Sequence, residues 1–348
     1  MYPRFIVSEN VMSNVELKSG DNENGTGSNM KLKKAFRAIL RNKENGIAIP
    51  LLIVVLIIYL INPVFLKFDN VINILRQSAF VFLIGISMTF VFIGGGMDLS
   101  VGSILALSGI ITGLGLLQGI PIWICILLGI LAGAFTGFLN GIFVAIFRIP
   151  SFIVTLGMMY VARGVVQYLT RGVPVYPLPE KFNFLGQGYV AGIPIVVIIA
   201  ALLGIVGHIV LQKTIYGRSV NAVGGNLETA RISGINVVTI PLFTYVLNGI
   251  ASGITGIFTA ARLGSALSNS GMGMELQVIA AVIIGGTSMF GGSGSIVGTL
   301  IGAIFMSVIS NGMIILKISV YLQSVVIGSI IILFVGLDQY NRKRQGTV

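Results

Sequence analysis

The sequence predicts an all-α membrane protein: a polytopic helical bundle of about ten transmembrane helices, some of them short or broken. Hydrophobic residues make up 55% of the 348 residues, only 9% are charged, and the mean hydropathy is +0.97. Soluble domains carry about 25% charged residues, so this chain cannot cover itself in water. Its apolar runs are long and continuous rather than short and alternating, which favours helices over a β-barrel.

Ten apolar segments are predicted to be helical spans. They are 47–62, 78–95, 100–117, 121–147, 151–170, 192–211, 237–261, 276–290, 295–315 and 318–337. The third and fourth spans, like the eighth and ninth, are separated by very short stretches, so nine or eleven helices stay open as alternatives. The 46 glycines are typical of helices that approach each other closely in lipid.

Polar segments flank this membrane domain, which we place at residues 47–337. Residues 1–46 are predicted to form a cytoplasmic polar tail that ends in a short basic amphipathic helix on the membrane surface. Residues 338–348 are predicted to be a second cytoplasmic tail. Because the two tails decide the balance of Lys and Arg between the two sides, both termini are assigned to the cytoplasm. Membrane lipid is an expected partner, and a nucleic acid is not, because no soluble basic domain could hold one.

A lone carboxylate stands out in the stretch FIGGGMDLSVGS (92–103). Gly95 and Gly96 permit non-helical backbone, which a membrane tolerates only where protein buries it or where it lines a cavity. Asp98 is costly at such a depth unless it faces protein or water. It either caps the helix that begins near Ser100 or takes part in a translocation pathway, and the two roles are compatible.

Small and amide residues mark the helix contacts. Glycines recur every four positions in the fourth span, at Gly129, Gly133, Gly137 and Gly141. This spacing puts them on one helix face and predicts close helix packing. Asn140 and Asn248 lie inside spans, where buried amides need partners. They are either ties between helices or lining groups, and ties are favoured.

No enzyme chemistry is indicated, and we expect no cofactor. The chain lacks the phosphate-binding sequence GxxxxGK[ST], and it has no Ser–His, HExxH or paired-carboxylate arrangement that fits an intramembrane enzyme. The one histidine, His208, has no cysteine or carboxylate nearby, so no metal site is expected.

Four blocks together resemble a known family. They are GGGMDLSVGSILALSG (94–109), IPSFIVTLGMMYVARGV (149–165), YGRSVNAVGGNLETARISGINV (216–237) and IAAVIIGGTSMFGGSGSIVGTLIGA (279–303). They are similar to the permease subunits of bacterial ABC importers for ribose and related monosaccharides. The resemblance implies a plasma-membrane importer of two permeases, as two copies or as paralogues, with two ATPases and an extracytoplasmic sugar-binding protein.

The resemblance also implies that the long cytoplasmic loop 212–236 docks on the ATPase. Its glycines suit a short helix bounded by turns. The residues assigned to coupling are Tyr216, Gly217, Arg218, Gly224, Gly225, Asn226, Glu228, Arg231 and Gly234. The residues assigned to the translocation pathway are Gly95, Gly96, Asp98, Ser100, Asn140 and Asn248. Apart from Asp98, the path would consist of Ser, Thr, Asn and Gly, which suits a neutral polyhydroxylated solute.

Two other classes of function are weighed against this interpretation. An ion-coupled secondary transporter of a small polar solute would need ionisable groups within the spans, and beyond Asp98 the sequence offers few. A membrane scaffold without transport is disfavoured by the glycine-broken spans.

Overall fold

The computed structural model describes residues 45–344, which form thirteen α-helices. The helices are α1 (Asn45–Ile61), α2 (Phe68–Ile93), α3 (Val101–Leu117), α4 (Ile122–Ala145), α5 (Ser151–Thr170), α6 (Glu180–Gln187), α7 (Ile195–Lys213), α8 (Ile215–Gly225), α9 (Leu227–Ile232), α10 (Thr239–Leu263), α11 (Met274–Ile284), α12 (Ile296–Ile315) and α13 (Val320–Arg344). A 3-10 helix occupies Pro63–Leu66, and strands β1 (Tyr189–Val190) and β2 (Ile193–Pro194) pair antiparallel.

The prediction of an all-α membrane protein is confirmed. Within the described residues, the helices α2, α4, α5, α7, α10 and α12 are long and apolar enough to cross a membrane. Four further apolar helices are shorter: α1, α3, α11 and the apolar part of α13. A chain with several such helices is a multi-pass membrane protein.

Each of the ten predicted spans falls on a helix, but two bounds differ clearly. The predicted span 276–290 is too long, because α11 ends at Ile284 and residues 285–295 are not helical. Gly286, Gly291 and Gly292 adopt positive φ angles of 81°, 89° and 77° there, which other residues rarely adopt. The predicted span 78–95 starts too late. Helix α2 begins ten residues earlier at Phe68, with the acidic residue Asp69 in its first turn.

The two predicted tails are described only in part. The polar tail and its basic helix fall in residues 1–44, outside the described part of the chain. At the other end, residues 338–344 continue helix α13.

Glycine contacts set the packing of α4 against α10. A Cβ atom on Gly133 would overlap the carbonyl group of Gly249, and a Cβ atom on Gly249 would overlap that of Gly133. The next pair repeats the pattern, because a Cβ atom on Gly137 would overlap the Tyr245 carbonyl. The predicted close packing of the glycine face is therefore confirmed, and it brings the backbones of the two helices into direct contact.

The connections gather at two ends of the bundle. At one end, which we call the α8 end, lie residues 94–100, 146–150, 214–238 and 285–295. The Gly292 amide there donates to the Ile93 carbonyl at 2.8 Å. The α6 end includes residues 171–194 and 264–267, where Val175 and Ala266 exchange backbone hydrogen bonds of 2.9 and 3.0 Å.

Candidate functional site

The glycines after α2 produce the predicted break. Helix α2 ends at Ile93, α3 begins at Val101, and the residues between them are not helical. Gly95 has a φ of 80°, which favours glycine. Gly96 has no room for a side chain, because a Cβ atom would overlap the hydroxyl group of Tyr245. The turn therefore lies tightly against α10.

Asp98 is fully buried in this break, and hydrogen-bond donors surround it. Its Oδ1 accepts the backbone N–H of Ser100 at 2.8 Å and also the Ser100 hydroxyl. Its Oδ2 accepts the side-chain amide of Asn248 at 2.9 Å. Within residues 45–344 no ion pair involves Asp98, so its buried oxygens are satisfied by neutral donors.

Two more side chains extend this arrangement into what we call the Asp98 network: Asp98, Ser100, Asn140, Asn248 and Ser87. Asn140 donates its amide to the Ser100 hydroxyl at 2.9 Å, and Ser87 donates to Asn248 Oδ1 at 2.8 Å. The network connects α2, α4 and α10 with the break. Asn140 and Asn248 thus act as ties between helices, which is the role that the sequence favoured. One acceptor is left over: the buried Oδ1 of Asn140 has no partner among the described residues.

The prediction that Asp98 caps α3 is wrong. Ser100 is the N-cap residue of α3, and its side chain makes no capping hydrogen bond. Asp98 lies two residues earlier and accepts the N–H of Ser100 itself, which is an Asx turn before the helix. Asn248 holds the second carboxylate oxygen, so the carboxylate does not reach the first turn of α3.

Several residues that hold the break in place were not predicted from the sequence. The Met97 amide donates to the Ser151 hydroxyl at 3.1 Å, and its carbonyl accepts from Tyr245 at 3.3 Å and from Thr155 at 3.4 Å. Tyr245 lies three residues before Asn248 and therefore on the same helix face, which could have predicted that both side chains contact the break. Ser87, Ser151 and Thr155 are single hydroxyl residues near or within apolar runs and gave no signal.

The predicted docking loop folds into two helices rather than one. Thr214 caps α8 by accepting from the Gly217 amide at 3.2 Å, and Asn226 caps α9 by accepting from Thr229 at 2.8 Å. Gly217 thus lies inside α8, and Gly234, with a φ of 80°, forms the turn after α9. Because Asn226 starts a new helix, the loop offers two short helical surfaces instead of one.

The charged residues of this loop face outward, whereas its tyrosine faces inward. Arg218, Glu228 and Arg231 are exposed, as is Asn226. Tyr216 packs its ring 6.0 Å from that of Phe90 on α2. Burial raises the pKa of the Tyr216 hydroxyl above its ordinary value. The loop therefore has a charged outer face and an aromatic attachment to the bundle.

Gly224, near the end of α8, lies against two breaks in the bundle, the one after α2 (94–100) and the one after α11 (285–295). A Cβ atom there would overlap the carbonyl of Ile93 and would come within 2.9 Å of the backbone nitrogen of Gly292. Gly225, its neighbour, has room, since its nearest contact would be 4.0 Å away. We call the contact of Gly224, Ile93 and Gly292 the glycine junction. It joins the predicted docking loop to the end of α2, just before the break that holds Asp98, and to the segment after α11.

A polar cavity of about 390 Å³ lies beside the junction. Gly95, Gly96 and Tyr245 line it on one side, and Glu228 and Arg231 line it on the other. The remaining four predicted pathway residues, Asp98, Ser100, Asn140 and Asn248, are fully buried. The structure thus brings all six predicted pathway residues to one region, with two at the cavity wall and four in the packed network.

Comparison with known proteins identifies a family of transport permeases. Residues 70–335 match the family described as "Branched-chain amino acid transport system / permease component". The ribose import permease protein RbsC of Haemophilus influenzae is 38% identical over 84% of this chain and 92% of its own length. That of Bacillus subtilis is 40% identical, over 83% and 90%.

A third relative is named for another sugar. The D-allose transport system permease protein AlsC of Escherichia coli is 37% identical over 88% of this chain and 95% of its own length. No solved structure gives a significant match. The family description names amino acids, whereas these relatives are named for sugars at high coverage. The chain therefore belongs to this family of membrane transport permeases, and within it to the ribose-type permeases of ABC importers.

Proposed function

We propose that this chain forms the membrane passage through which an ABC importer moves a monosaccharide. Ribose and allose, for which its relatives are named, are the first candidates. The partners would be an ATPase subunit, a second permease copy or paralogue, and an extracytoplasmic sugar-binding protein. The chain itself would hydrolyse no ATP, because it has no phosphate-binding loop.

The glycine junction is the observation that carries this proposal. The exposed charges on α8 and α9 offer a docking surface, and Gly224 leaves no gap between α8 and the two breaks. A shift of α8 must therefore displace Ile93 and Gly292, since packed interfaces do not deform continuously. In this way a movement of the docking loop by an ATPase would be transmitted to the Asp98 network.

The topology follows from the same assignment. Ten crossings by α1–α5, α7 and α10–α13 would put residues 45 and 344 on one side of the membrane. That side is the α8 end, which we assign to the cytoplasm, where an ATPase operates. The basic residues of the loops do not favour this side, so the assignment rests on the docking loop and on the basic tails.

The Asp98 network suits a neutral solute. Asn140 Oδ1 is buried without a partner among the described residues, so it would accept a hydrogen bond from a solute hydroxyl group once the packed network opens. Within the same part of the chain no second carboxylate and no basic side chain bonds to Asp98. The comparisons likewise favour an ABC permease over the ion-coupled secondary transporter that was the alternative.

Uptake by a rebuilt importer tests the proposal. The chain would be reconstituted into vesicles with its ATPase and binding protein, and uptake of radiolabelled ribose and allose would be measured with and without ATP. We expect ATP-dependent accumulation of a monosaccharide, and none when the ATPase carries a lysine-to-alanine change in its phosphate loop. A correctly assembled complex that accumulates no monosaccharide would reject the function.

A further inference from the structure

A second polar cavity lies on the other side of the Asp98 network, towards the α6 end. It has a volume of about 360 Å³, and residues from α2, α10, α11, α12 and α13 line it. Its polar side chains include three glutamines and three hydroxyl residues: Gln77, Gln277, Gln323, Thr259, Ser307 and Ser310. Such a density of neutral polar groups is unusual between apolar helices, where each buried polar group needs a partner. We call it the glutamine cavity.

Most of these groups are not used by the fold. Ser307 is 3% exposed and Ser310 is half-buried, and the hydroxyl oxygens of both have no hydrogen-bond partner in the described chain. Within the same residues the side-chain amides of Gln77 and Gln277 make no hydrogen bond either. An unpaired buried hydroxyl costs about 1–3 kcal/mol of stability, so helix packing alone does not account for these residues. A ligand in the cavity would satisfy them.

The lining also selects the kind of ligand. Among the described residues no carboxylate lines the cavity, so nothing there would attract a metal ion or an amine. Amides and hydroxyls both donate and accept, as sugar hydroxyls do. Arg262 lies with its guanidinium 5.5 Å from the ring centroid of Phe80, which fixes both side chains in the wall. The volume lies at the lower end of the range found for small-molecule sites.

The cavity is also connected to the Asp98 network. Gly271 lines the cavity, and a Cβ atom on Gly102 in the first turn of α3 would overlap its carbonyl. Leu105, one turn further along α3, lines the cavity as well. Gly102 lies two residues after Ser100, which bonds to Asp98. The first turn of α3 therefore has the network at its beginning and the cavity along its side.

We infer that the glutamine cavity is a low-affinity site for a neutral monosaccharide within a single permease chain. The inference rests on the proposed function and adds where the sugar binds within the permease. Low affinity is expected, because a solute in transit must leave as readily as it enters. Gln77 and Gln277 would bind the sugar directly, and Ser307 and Ser310 would complete its hydrogen bonds.

Direct binding to the chain alone tests this site. The purified permease in lipid nanodiscs, without binding protein or ATPase, would be titrated with radiolabelled D-ribose, D-allose and D-xylose. We expect millimolar binding of at least one sugar and a loss of about tenfold or more in the double variant Gln77→Leu, Gln277→Leu, since two hydrogen bonds are removed. Gln167→Leu, the same change on the exposed face of α5, should bind like the wild type.

Chemical protection at high sugar concentration supplies a second measurement, which reports where the sugar binds. Ser310→Cys would be treated with a small methanethiosulfonate reagent, and the wild type, whose one cysteine Cys125 is buried, is the blank. We expect the sugar that binds to slow the labelling of this cysteine. Binding that the double glutamine variant leaves intact, or labelling that no sugar slows, would overturn the inference.

Two further outcomes separate the alternatives. Tighter binding of ribose 5-phosphate than of ribose would show an anion site at Arg262 and would also overturn the inference. If the isolated chain binds no sugar while the rebuilt importer transports one, the cavity inference fails and the proposed function stands. If the importer transports no monosaccharide, the proposed function itself fails.

Discussion

The side-chain amide of Asn248 donates a hydrogen bond of 2.9 Å to Oδ2 of Asp98, and this bond joins α10 to the break after α2. The acceptor Asp98 Oδ2 sets the direction of the amide, and Ser87 donates to the Asn248 Oδ1 that remains. Asp98 is therefore an acceptor at both oxygens. Buried networks of this kind are sensitive to any change that leaves a donor facing a donor.

Replacement of Asp98 by asparagine should be mild. The new side chain would keep an oxygen for the Ser100 amide, but its NH₂ group would face that of Asn248. Asn248 can relieve the conflict by turning its amide over, because Ser87 can then accept from it and still donate to the Ile84 carbonyl. We expect a cost of about 1–2 kcal/mol in thermal unfolding.

Asp98→Leu should be severe, since three donors lose their acceptor at once. We expect a cost of at least about 3 kcal/mol and reduced membrane abundance. Equal stability of the leucine and asparagine variants would contradict the network. An Asp98→Asn protein that inserts normally but imports no sugar would instead place the carboxylate charge in the transport cycle.

Asn248→Asp should impair the protein, and a second change should restore it. Two carboxylates cannot share the 2.9 Å contact with both charged. In the double variant Asp98→Asn, Asn248→Asp the carboxylate and the amide exchange places, and Ser87 can donate to the carboxylate now on α10. We expect the double variant to unfold at a higher temperature than Asn248→Asp alone. Simple addition of the two single effects would argue against direct coupling.

Gly224→Ala and Gly225→Ala form a matched pair at the end of α8. The added methyl group overlaps the Ile93 carbonyl at the first position and has 4.0 Å of space at the second. We expect Gly224→Ala to lower stability by about 1–3 kcal/mol and to abolish uptake, whereas Gly225→Ala should resemble the wild type. Uptake by reconstituted vesicles and thermal unfolding measure both. Equal uptake by the two variants would remove the glycine junction from the coupling mechanism.

Gly133→Ala should separate α4 from α10. Its methyl group would overlap the carbonyl of Gly249, so the backbones must move apart at a cost of about 1–3 kcal/mol. Gly157→Ala on α5 is the control, because a Cβ atom there meets nothing within 4 Å. The control should be neutral or slightly stabilising, since alanine favours a helix over glycine. A thermal unfolding series in detergent that ranks the two alike would contradict the packing.

Arg231→Ala should weaken the binding of the ATPase without changing the fold. Arg231 is exposed on α9, so the loss is expected to be less than about fivefold in affinity if its partner is also exposed. Lys181→Ala, exposed on α6 at the other end of the bundle, should have no effect. Co-purification of the ATPase and sugar-stimulated ATP turnover report the result. Unchanged values for Arg231→Ala and for Glu228→Ala would exclude α9 from the docking surface.

The sequence by itself determined the class of the protein and much of its local structure. Hydropathy over about twenty residues marks a helix in lipid wherever it lies, so the apolar segments were found with few errors. The glycines before Asp98 predicted a break, and the spacing of Gly129 to Gly141 predicted a packing face, because both signals act within one helix or turn. Four motif blocks in order along the chain indicated the family that the comparisons then supported.

The tertiary structure alone decided which distant groups meet. Asp98 and Asn248 are 150 residues apart, and Gly224 meets Ile93 and Gly292 from a separate loop. Gln77 and Gln277 line one cavity, which no local sequence pattern predicts. Local propensity and hydropathy depend on near neighbours in the chain, whereas these contacts depend on how whole helices pack. That packing also decides that Asp98 bonds to Asn248 on α10 and does not cap α3, because the Asn248 amide donates to its second carboxylate oxygen.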